Sequence, residues 1–172
     1  MKIPERYKNA KLEDVPERVR SAFNETIKNK KGLYIYGGVG TGKTHIAYAI
    51  QKRWHELGQS SLFWNMTELI DEIRSDFSRT EKEFISERVL DYQNLLFLDD
   101  IGAEKPTEWV EEKIYLIVNK RYNDMLPTIF TSNLKIDELA NRIGDRIASR
   151  IVEMCEIINL EGEDRRLSQI AG

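Results

Sequence analysis

The residues with the clearest potential for chemistry form a glycine-rich segment that ends in a lysine and a threonine. It fits the pattern G-x-x-x-x-G-K-T and consists of Gly37, Gly38, Val39, Gly40, Thr41, Gly42, Lys43 and Thr44. Glycine leaves the backbone N–H groups free of Cβ obstruction, so that they can surround a polyphosphate. In this pattern Lys43 reaches the β- and γ-phosphates, and the hydroxyl of Thr44 holds Mg²⁺. The segment therefore predicts a site for a nucleoside triphosphate with its Mg²⁺.

A second group of polar residues follows two apolar runs farther along the chain. Asp99 and Asp100 come directly after residues 95–98, and Asn133 comes shortly after residues 127–131. Carboxylates at the carboxyl end of a buried parallel strand lie at the ligand edge of the sheet. We expect Asp99 to hold Mg²⁺ through its water shell, and Asp100 to orient or deprotonate the attacking water. Asn133 would lie at the same edge and hydrogen-bond the γ-phosphate or that water.

These residues need a sheet that brings the ends of separate strands together. Short apolar runs predict five strands, and stretches with apolar residues at helical spacing lie between them. The predicted strands are 33–37, 61–65, 94–99, 127–132 and 155–160. The alternation predicts an α/β fold, in which a three-layer αβα sandwich surrounds a five-stranded, mostly parallel sheet. The nucleotide would lie at the carboxyl ends of the strands.

The segment before the first strand, residues 1–31, is locally basic and forms an N-terminal arm. Val19, Phe23 and Ile27 recur every four residues, which predicts a helix with one buried stripe. Two interpretations of the arm stay open. It covers the nucleotide or a neighbouring subunit, or it is a packing helix with a solvated basic face.

Residues 67–92 predict two consecutive helices, whereas a parallel connection between strands needs only one. A T-x-x-E capping box at Thr80 and Glu83 would begin the second helix, with Tyr92 on its apolar side. The extra helix is either an insertion with a purpose or a variation in length.

Three arginines near the carboxyl-terminal end, Arg142, Arg146 and Arg150, are spaced four residues apart. On one helix they would share a face. Such a row is either a solvated face paired with acids or a source of arginine for a phosphoryl group in a neighbouring subunit.

The length and composition predict a single domain over residues 1–172. The formal net charge is −3, so any surface for nucleic acid must be a local patch. The only cysteine, Cys155, excludes an internal disulfide. No apolar run reaches the length of about 20 residues that spans a membrane, and no apolar leader begins the sequence. We therefore expect a cytoplasmic protein that does not interact with membranes.

The motifs GGVGTGKT, LLFLDDIGAEKPTEW, IFTSNL, DRIASRI and EGEDRR occur in this order. Together they resemble the ATPase domain of the bacterial replicative helicase loaders, the DnaC/DnaI-like AAA+ proteins, to which the IstB-like transposition ATPases are related. The resemblance extends from about Ile3 to Arg166. It implies ATP and Mg²⁺ as cofactors, with residues 37–44 as the Walker A loop and His45 included among the nucleotide-contacting residues.

The resemblance also implies roles for the remaining polar residues. Asp99 and Asp100 match Walker B, and Asn133 matches sensor 1. Arg150 matches the arginine finger, which acts on the ATP of the adjacent subunit. Arg166 matches the sensor-2 arginine, with Arg165 as the less favoured candidate.

The implied function is that of a helicase loader with weak ATPase activity. It would self-assemble with ATP, bind single-stranded DNA and act with a DnaB-type replicative helicase. Residues 67–92 look like the insertion that loaders use to shape a spiral assembly and face the DNA, with Phe77 and Phe84 as candidate stacking aromatics. Alternatives are an IstB-like transposition ATPase that binds duplex DNA, a nucleotide-gated adaptor without turnover, and a small-molecule kinase.

The sequence departs from the family in two places. Asp100 stands where many AAA+ enzymes have Glu, and its shorter reach predicts slow hydrolysis. About thirty residues precede the first strand, too few for the separate domain with which loaders grip the helicase. A carboxy-terminal lid domain is not expected, as in the loaders.

Overall fold

The computed structural model describes residues 3–76 and 84–160 of the chain. Two short 3-10 turns, Glu5–Tyr7 and Leu12–Asp14, precede the first helix. The elements that follow are α1 (Glu17–Asn29), β1 (Gly32–Tyr36), α2 (Lys43–Glu56), β2 (Ser61–Asn65), α3 (Met66–Asp76), α4 (Ile85–Leu90), β3 (Leu95–Asp99), α5 (Glu108–Asn123), β4 (Thr128–Ser132), α6 (Ile136–Ile143), α7 (Asp145–Met154) and β5 (Cys155–Asn159). Within the described ranges, no helix is long and apolar enough to cross a lipid bilayer.

The five strands form one sheet in the order β2-β3-β4-β1-β5. All of the described pairings are parallel, so the predicted five-stranded sheet is confirmed and the five predicted strands lie within one residue of the observed bounds. Because the strands are parallel, the loops that follow β1, β3 and β4 leave the sheet at the same edge. The glycine loop, the paired aspartates and Asn133 are therefore brought to one place.

Alternating residues of the central strands divide the core into two clusters, one on each face of the sheet. Leu33 and Ile35 of β1 pack with α1 and α2, whereas Tyr34 packs with helices α3 to α7 on the other face. The strand β3 is buried along its whole length, as expected for a strand covered on both faces. The predicted three-layer αβα sandwich is confirmed.

The helices of the 67–92 region begin at polar caps that differ from the predicted one. The side chain of Asn65 accepts hydrogen bonds from the backbone N–H groups of Thr67 and Glu68 at the start of α3. The carboxylate of Asp76 accepts from the N–H groups of Ile85 and Ser86 at the start of α4. The predicted capping box at Thr80 and Glu83, and Phe77, lie outside the described residues. Helix α4 ends at Leu90, so the placement of Tyr92 on that helix was wrong.

A buried arginine near the end of α5 ties the beginnings of β3 and β4 together. Arg121 is fully buried, and its guanidinium donates to the carbonyls of Tyr92, Asn94 and Pro127 and to the hydroxyl of Thr128 at 2.6–2.9 Å. Burial lowers its pKa to about 10. These acceptors satisfy a charge that would otherwise be costly to bury.

Replacing Arg121 with methionine keeps much of its volume but leaves three carbonyls and a hydroxyl without their donor. We expect a loss of about 3 kcal/mol in the free energy of unfolding, measured by chemical denaturation, because buried unsatisfied acceptors carry their full desolvation cost. Lys120→Met, at the preceding and more exposed position, is the matched control and should unfold at nearly the wild-type midpoint. Equal midpoints for the two variants would contradict this role.

Candidate nucleotide-binding site

The loop between β1 and α2 depends on glycine at its first and sixth positions. A Cβ on Gly37 would lie 2.4 Å from the carbonyl oxygen of Leu160, a distance that no side chain tolerates. Gly42 has a φ of 93° and is the N-cap of α2, a conformation that disfavours residues with a side chain. The first N–H groups of α2 and the positive end of its dipole are therefore turned toward the loop. This is the backbone arrangement that binds anions.

The side chain of Lys43 folds back over this loop. Its ammonium donates to the carbonyl oxygens of Gly37 and Gly38 at 2.7 Å each, and it lies 3.5 Å from the hydroxyl of Thr41. The lysine is buried, and these three contacts are to carbonyl and hydroxyl oxygens of the loop. Phosphate oxygens would be stronger acceptors for the same ammonium.

A hydroxyl of β4 connects the paired aspartates at the end of β3. Thr131 Oγ1 donates to Asp99 Oδ1 at 2.6 Å and accepts from the backbone N–H of Asp100 at 2.9 Å. The hydroxyl of Thr44 also donates to the Asp99 carboxylate, at 3.1 Å. Burial raises the pKa of Asp99, while the hydrogen bonds from Thr131 and Thr44 act in the opposite direction.

Asp100 has a backbone conformation that is unusual for a residue with a side chain. Its φ is 61°, and its carboxylate accepts a hydrogen bond from the amide of Asn133 at 3.0 Å. Such a conformation costs energy and persists where the surrounding structure holds it, which here includes the Thr131 contact. Asp99 and Asp100 consequently point to different places: Asp99 is buried beneath the loop, and Asp100 faces a cavity with Asn133.

The cavity has a volume of about 520 Å³ and runs along the glycine loop. It is lined by Arg6, Tyr7, Val39, Gly40, Gly42, Lys43, Thr44, His45, Asp100, Thr131 and Asn133. Residues from three separate loops thus meet there with two residues of the N-terminal arm. Its size suits a nucleotide.

The N-terminal arm is fixed beside this cavity by contacts with α2. The ring of Tyr7 stacks on Tyr48 with centroids 4.7 Å apart. Lys52 donates to the carbonyls of Lys8 and Ala10 at 2.8 Å. Residues 6 and 7 line the cavity, as expected if the arm covers the nucleotide. Helix α1, by contrast, packs on the sheet, as expected if the arm is a packing helix.

The arginines do not form the single row that their spacing suggested. Gly144, with a φ of 100°, separates α6 from α7, so Arg142 belongs to another helix and donates to the carbonyl of Glu104. The shared face of all three arginines was therefore a wrong prediction. Arg150 lies with Arg146 on α7 and contacts α5 rather than the residues around the cavity. Arg165 and Arg166 lie outside the described residues.

Three residues that line the cavity, Arg6, Tyr7 and Thr131, were missed in the sequence. Thr131 lies inside the IFTSNL motif, and its position beside Asp99 follows only from the pairing of β3 with β4. Tyr7 carries no local signal for a ligand and reaches the cavity through its stacking on Tyr48.

The residues present fit Mg²⁺ held together with a nucleotide. The Thr44 hydroxyl and the Asp99 carboxylate are hard oxygen donors 3.1 Å apart. Among residues 3–76 and 84–160, no cluster of three or more metal-ligating side chains occurs. Two such oxygens are a donor set with which Mg²⁺ is commonly bound, together with substrate phosphates and water.

Comparison with known proteins finds a family model and a named relative that are similar to this chain. A family model described as IstB-like ATP binding protein matches residues 7–171. The replicative helicase loader DnaI of Bacillus subtilis (strain 168) is 35% identical over 159 residues, which cover 84% of this chain and 50% of DnaI. The chain thus spans half the length of that relative.

Solved structures of helicase loaders are similar to this chain in their fold. A crystal structure of the DnaC helicase loader matches with a TM-score of 0.82 and 29% identity, covering 92% of this chain and 100% of that one. A crystal structure of DnaI matches with a TM-score of 0.79 and 27% identity over 95% of this chain and 94% of that one. Since the family model covers nearly the whole sequence, this chain belongs to the family of IstB-like ATP-binding proteins, and its fold is that of the AAA+ domains of DnaC and DnaI.

Proposed function

We propose that this protein is an ATP-dependent, self-assembling switch of the helicase-loader type, with weak ATPase activity and affinity for single-stranded DNA. The observation that carries the proposal is the arrangement around the cavity. Lys43 and Thr44 from the glycine loop, Asp100 from the end of β3 and Asn133 from the end of β4 line a single cavity, with Asp99 directly beneath it. Three separate segments supply these groups to one edge of the sheet.

ATP would be held by the loop through its backbone N–H groups, the α2 N-terminus and Lys43. The Mg²⁺ would bind the Thr44 hydroxyl directly and Asp99 through water, and its charge would neutralise the phosphates. Residues 37–45 together form the nucleotide-contacting set, and Arg6 and Tyr7 would cover the nucleoside end. The choice of adenine over guanine as the bound base is inferred from membership in the family of IstB-like ATP-binding proteins.

Hydrolysis requires a group that orients or deprotonates water, and Asp100 is placed for this role. Its carboxylate faces the cavity and is held by the Asn133 amide at 3.0 Å. The same amide would sense the γ-phosphate, since it lies beside the carboxylate at the cavity wall. Asp is one methylene shorter than Glu, which supports slow turnover.

Assembly would complete the site, because Arg150 lies apart from the cavity of its own subunit. Its guanidinium would act on the ATP of an adjacent copy, and Arg166 would read the ATP of its own subunit. The DnaC and DnaI relatives are helicase loaders, which supports a DnaB-type helicase and single-stranded DNA as partners in the cytoplasm. Within the 67–92 region, Phe84 is half-buried at the start of α4 and is the described candidate for stacking on a base.

Replacing Lys43 with methionine should weaken ATP binding on the order of 10–100-fold, because the charge-assisted bonds to the phosphates are lost. Titration of a fluorescent ATP analogue measures the affinity. Lys28→Met, an exposed lysine on α1 that pairs with Glu25, is the matched control and should bind normally. Wild-type affinity in folded Lys43→Met protein would remove the central claim.

The specific ATPase activity of the wild-type protein should rise with protein concentration, since each site needs a second subunit. Arg150→Ala should bind ATP normally yet stay on the order of 1,000-fold less active at every concentration. Arg53→Ala, an exposed α2 arginine paired with Glu56, is the control for charge loss. Wild-type activity in Arg150→Ala would refute the assignment of Arg150 as the arginine finger. ATP binding without turnover in the wild-type protein would favour a nucleotide-gated adaptor.

Binding to fluorescently labelled DNA distinguishes the loader from the transposition alternative. We expect the protein to bind a single-stranded oligonucleotide more tightly than the matching duplex, and more tightly with ATP than with ADP. Affinity should fall as salt rises, because phosphate contacts release counterions. A preference for duplex in anisotropy titrations would contradict the loader and favour a transposition ATPase.

A further inference from the structure

Arg150 and Arg146 share one aromatic partner on a neighbouring helix. The guanidinium carbon of Arg150 lies 4.9 Å from the ring centre of Tyr115 on α5, and that of Arg146 lies 4.5 Å from it. The phenol oxygen of Tyr115 accepts a hydrogen bond from each arginine, at 2.8 Å from Arg146 and 3.2 Å from Arg150. One side chain thus fixes two cations at the surface between α5 and α7.

A second α5 residue, one helical turn further on, also contacts Arg150, and the ring centre of Tyr122 lies 5.6 Å from its guanidinium carbon. Asn119 Oδ1 accepts from Arg150 Nε at 2.8 Å, and the carbonyl of Arg146 accepts from Nη1 at 3.0 Å. With the Tyr115 contact, every nitrogen of this guanidinium donates once. Among the described residues, one N–H on each of the two terminal nitrogens therefore has no acceptor and can donate to an oxygen of a phosphate.

The charge of Arg150 is not neutralised by these partners. Across the described ranges, neither Arg150 nor Arg146 is within salt-bridge distance of a carboxylate. A phenol ring, an amide oxygen and a carbonyl hold the orientation of a cation and leave its charge for another anion. The contacts hence orient this side chain without pairing its charge.

We infer that Tyr115 and Asn119 are positioning residues that hold Arg150 in the orientation in which it meets the triphosphate bound to a second copy of this chain. The inference rests on the proposed function, because it takes Arg150 as the finger. Pre-ordering a long side chain before assembly reduces the conformational freedom that must be lost when the two subunits meet. Without Tyr115 and Asn119, the same arginine would lose two of its three described hydrogen-bond acceptors.

Mixed assemblies test this directly. Lys43→Met subunits carry Arg150 but stay largely empty at an ATP concentration that fills the wild-type site. Arg150→Ala subunits bind ATP but carry no finger, so a mixture at that concentration should recover activity that neither variant has alone. Adding Tyr115→Phe and Asn119→Ala to the Lys43→Met donor should lower the recovered rate on the order of 10–100-fold, as expected for a misplaced group. The same two substitutions in the Arg150→Ala acceptor should leave the recovered rate unchanged.

Asn123→Ala, an exposed position one turn further along α5, is the matched control in the donor and should recover fully. Circular dichroism and concentration-dependent assembly of the donors verify that they fold and associate. An unchanged or higher rate with the substituted donor overturns the inference while the proposed function stands. No recovery in the unsubstituted mixture overturns the proposed finger and the inference with it.

Discussion

The hydroxyl of Thr131 is the contact on which the geometry of the site depends. It donates to Asp99 and accepts from the N–H of Asp100, so it fixes both carboxylates at once. It can do so only if β3 and β4 keep their register, in which Leu98 is paired with Phe130. Arg121 holds the opposite ends of the same two strands by binding the carbonyls of Asn94 and Pro127. A buried cation at one edge of the sheet thus supports the carboxylates at the other.

The sequence could predict those parts of the fold that depend on interactions between residues close together in the chain. Apolar runs such as 95–98 predict buried strands, and Gly144 ends a helix wherever that helix packs. The positive φ at Gly42 is an equally local requirement, whereas Gly37 is needed because the distant carbonyl of Leu160 approaches it closely. These signals also predict that the polar residues after different strands meet at one edge.

The remaining features depend on contacts between residues far apart in the sequence. Tyr7 reaches the cavity because it stacks on Tyr48, and the burial of Arg121 requires the loops before β3 and β4. The spacing of the arginines was misleading for a different, local reason. A period of four has meaning only on an unbroken helix, and Gly144 interrupts this one between Arg142 and Arg146.

Dividing the proposed active site between two subunits couples nucleotide binding to assembly. The loop, Asp99 and Asp100 would belong to one copy and Arg150 to its neighbour, where Tyr115 and Asn119 of α5 orient this α7 side chain. If a neighbour's Arg150 strengthens the binding of ATP by some factor, ATP must strengthen the association of the subunits by the same factor. A chain of the proposed design would need little turnover to act as a switch, because the nucleotide would control assembly through its binding energy alone. The proposed slow hydrolysis at Asp100 would then set how long an assembly lasts rather than whether it forms.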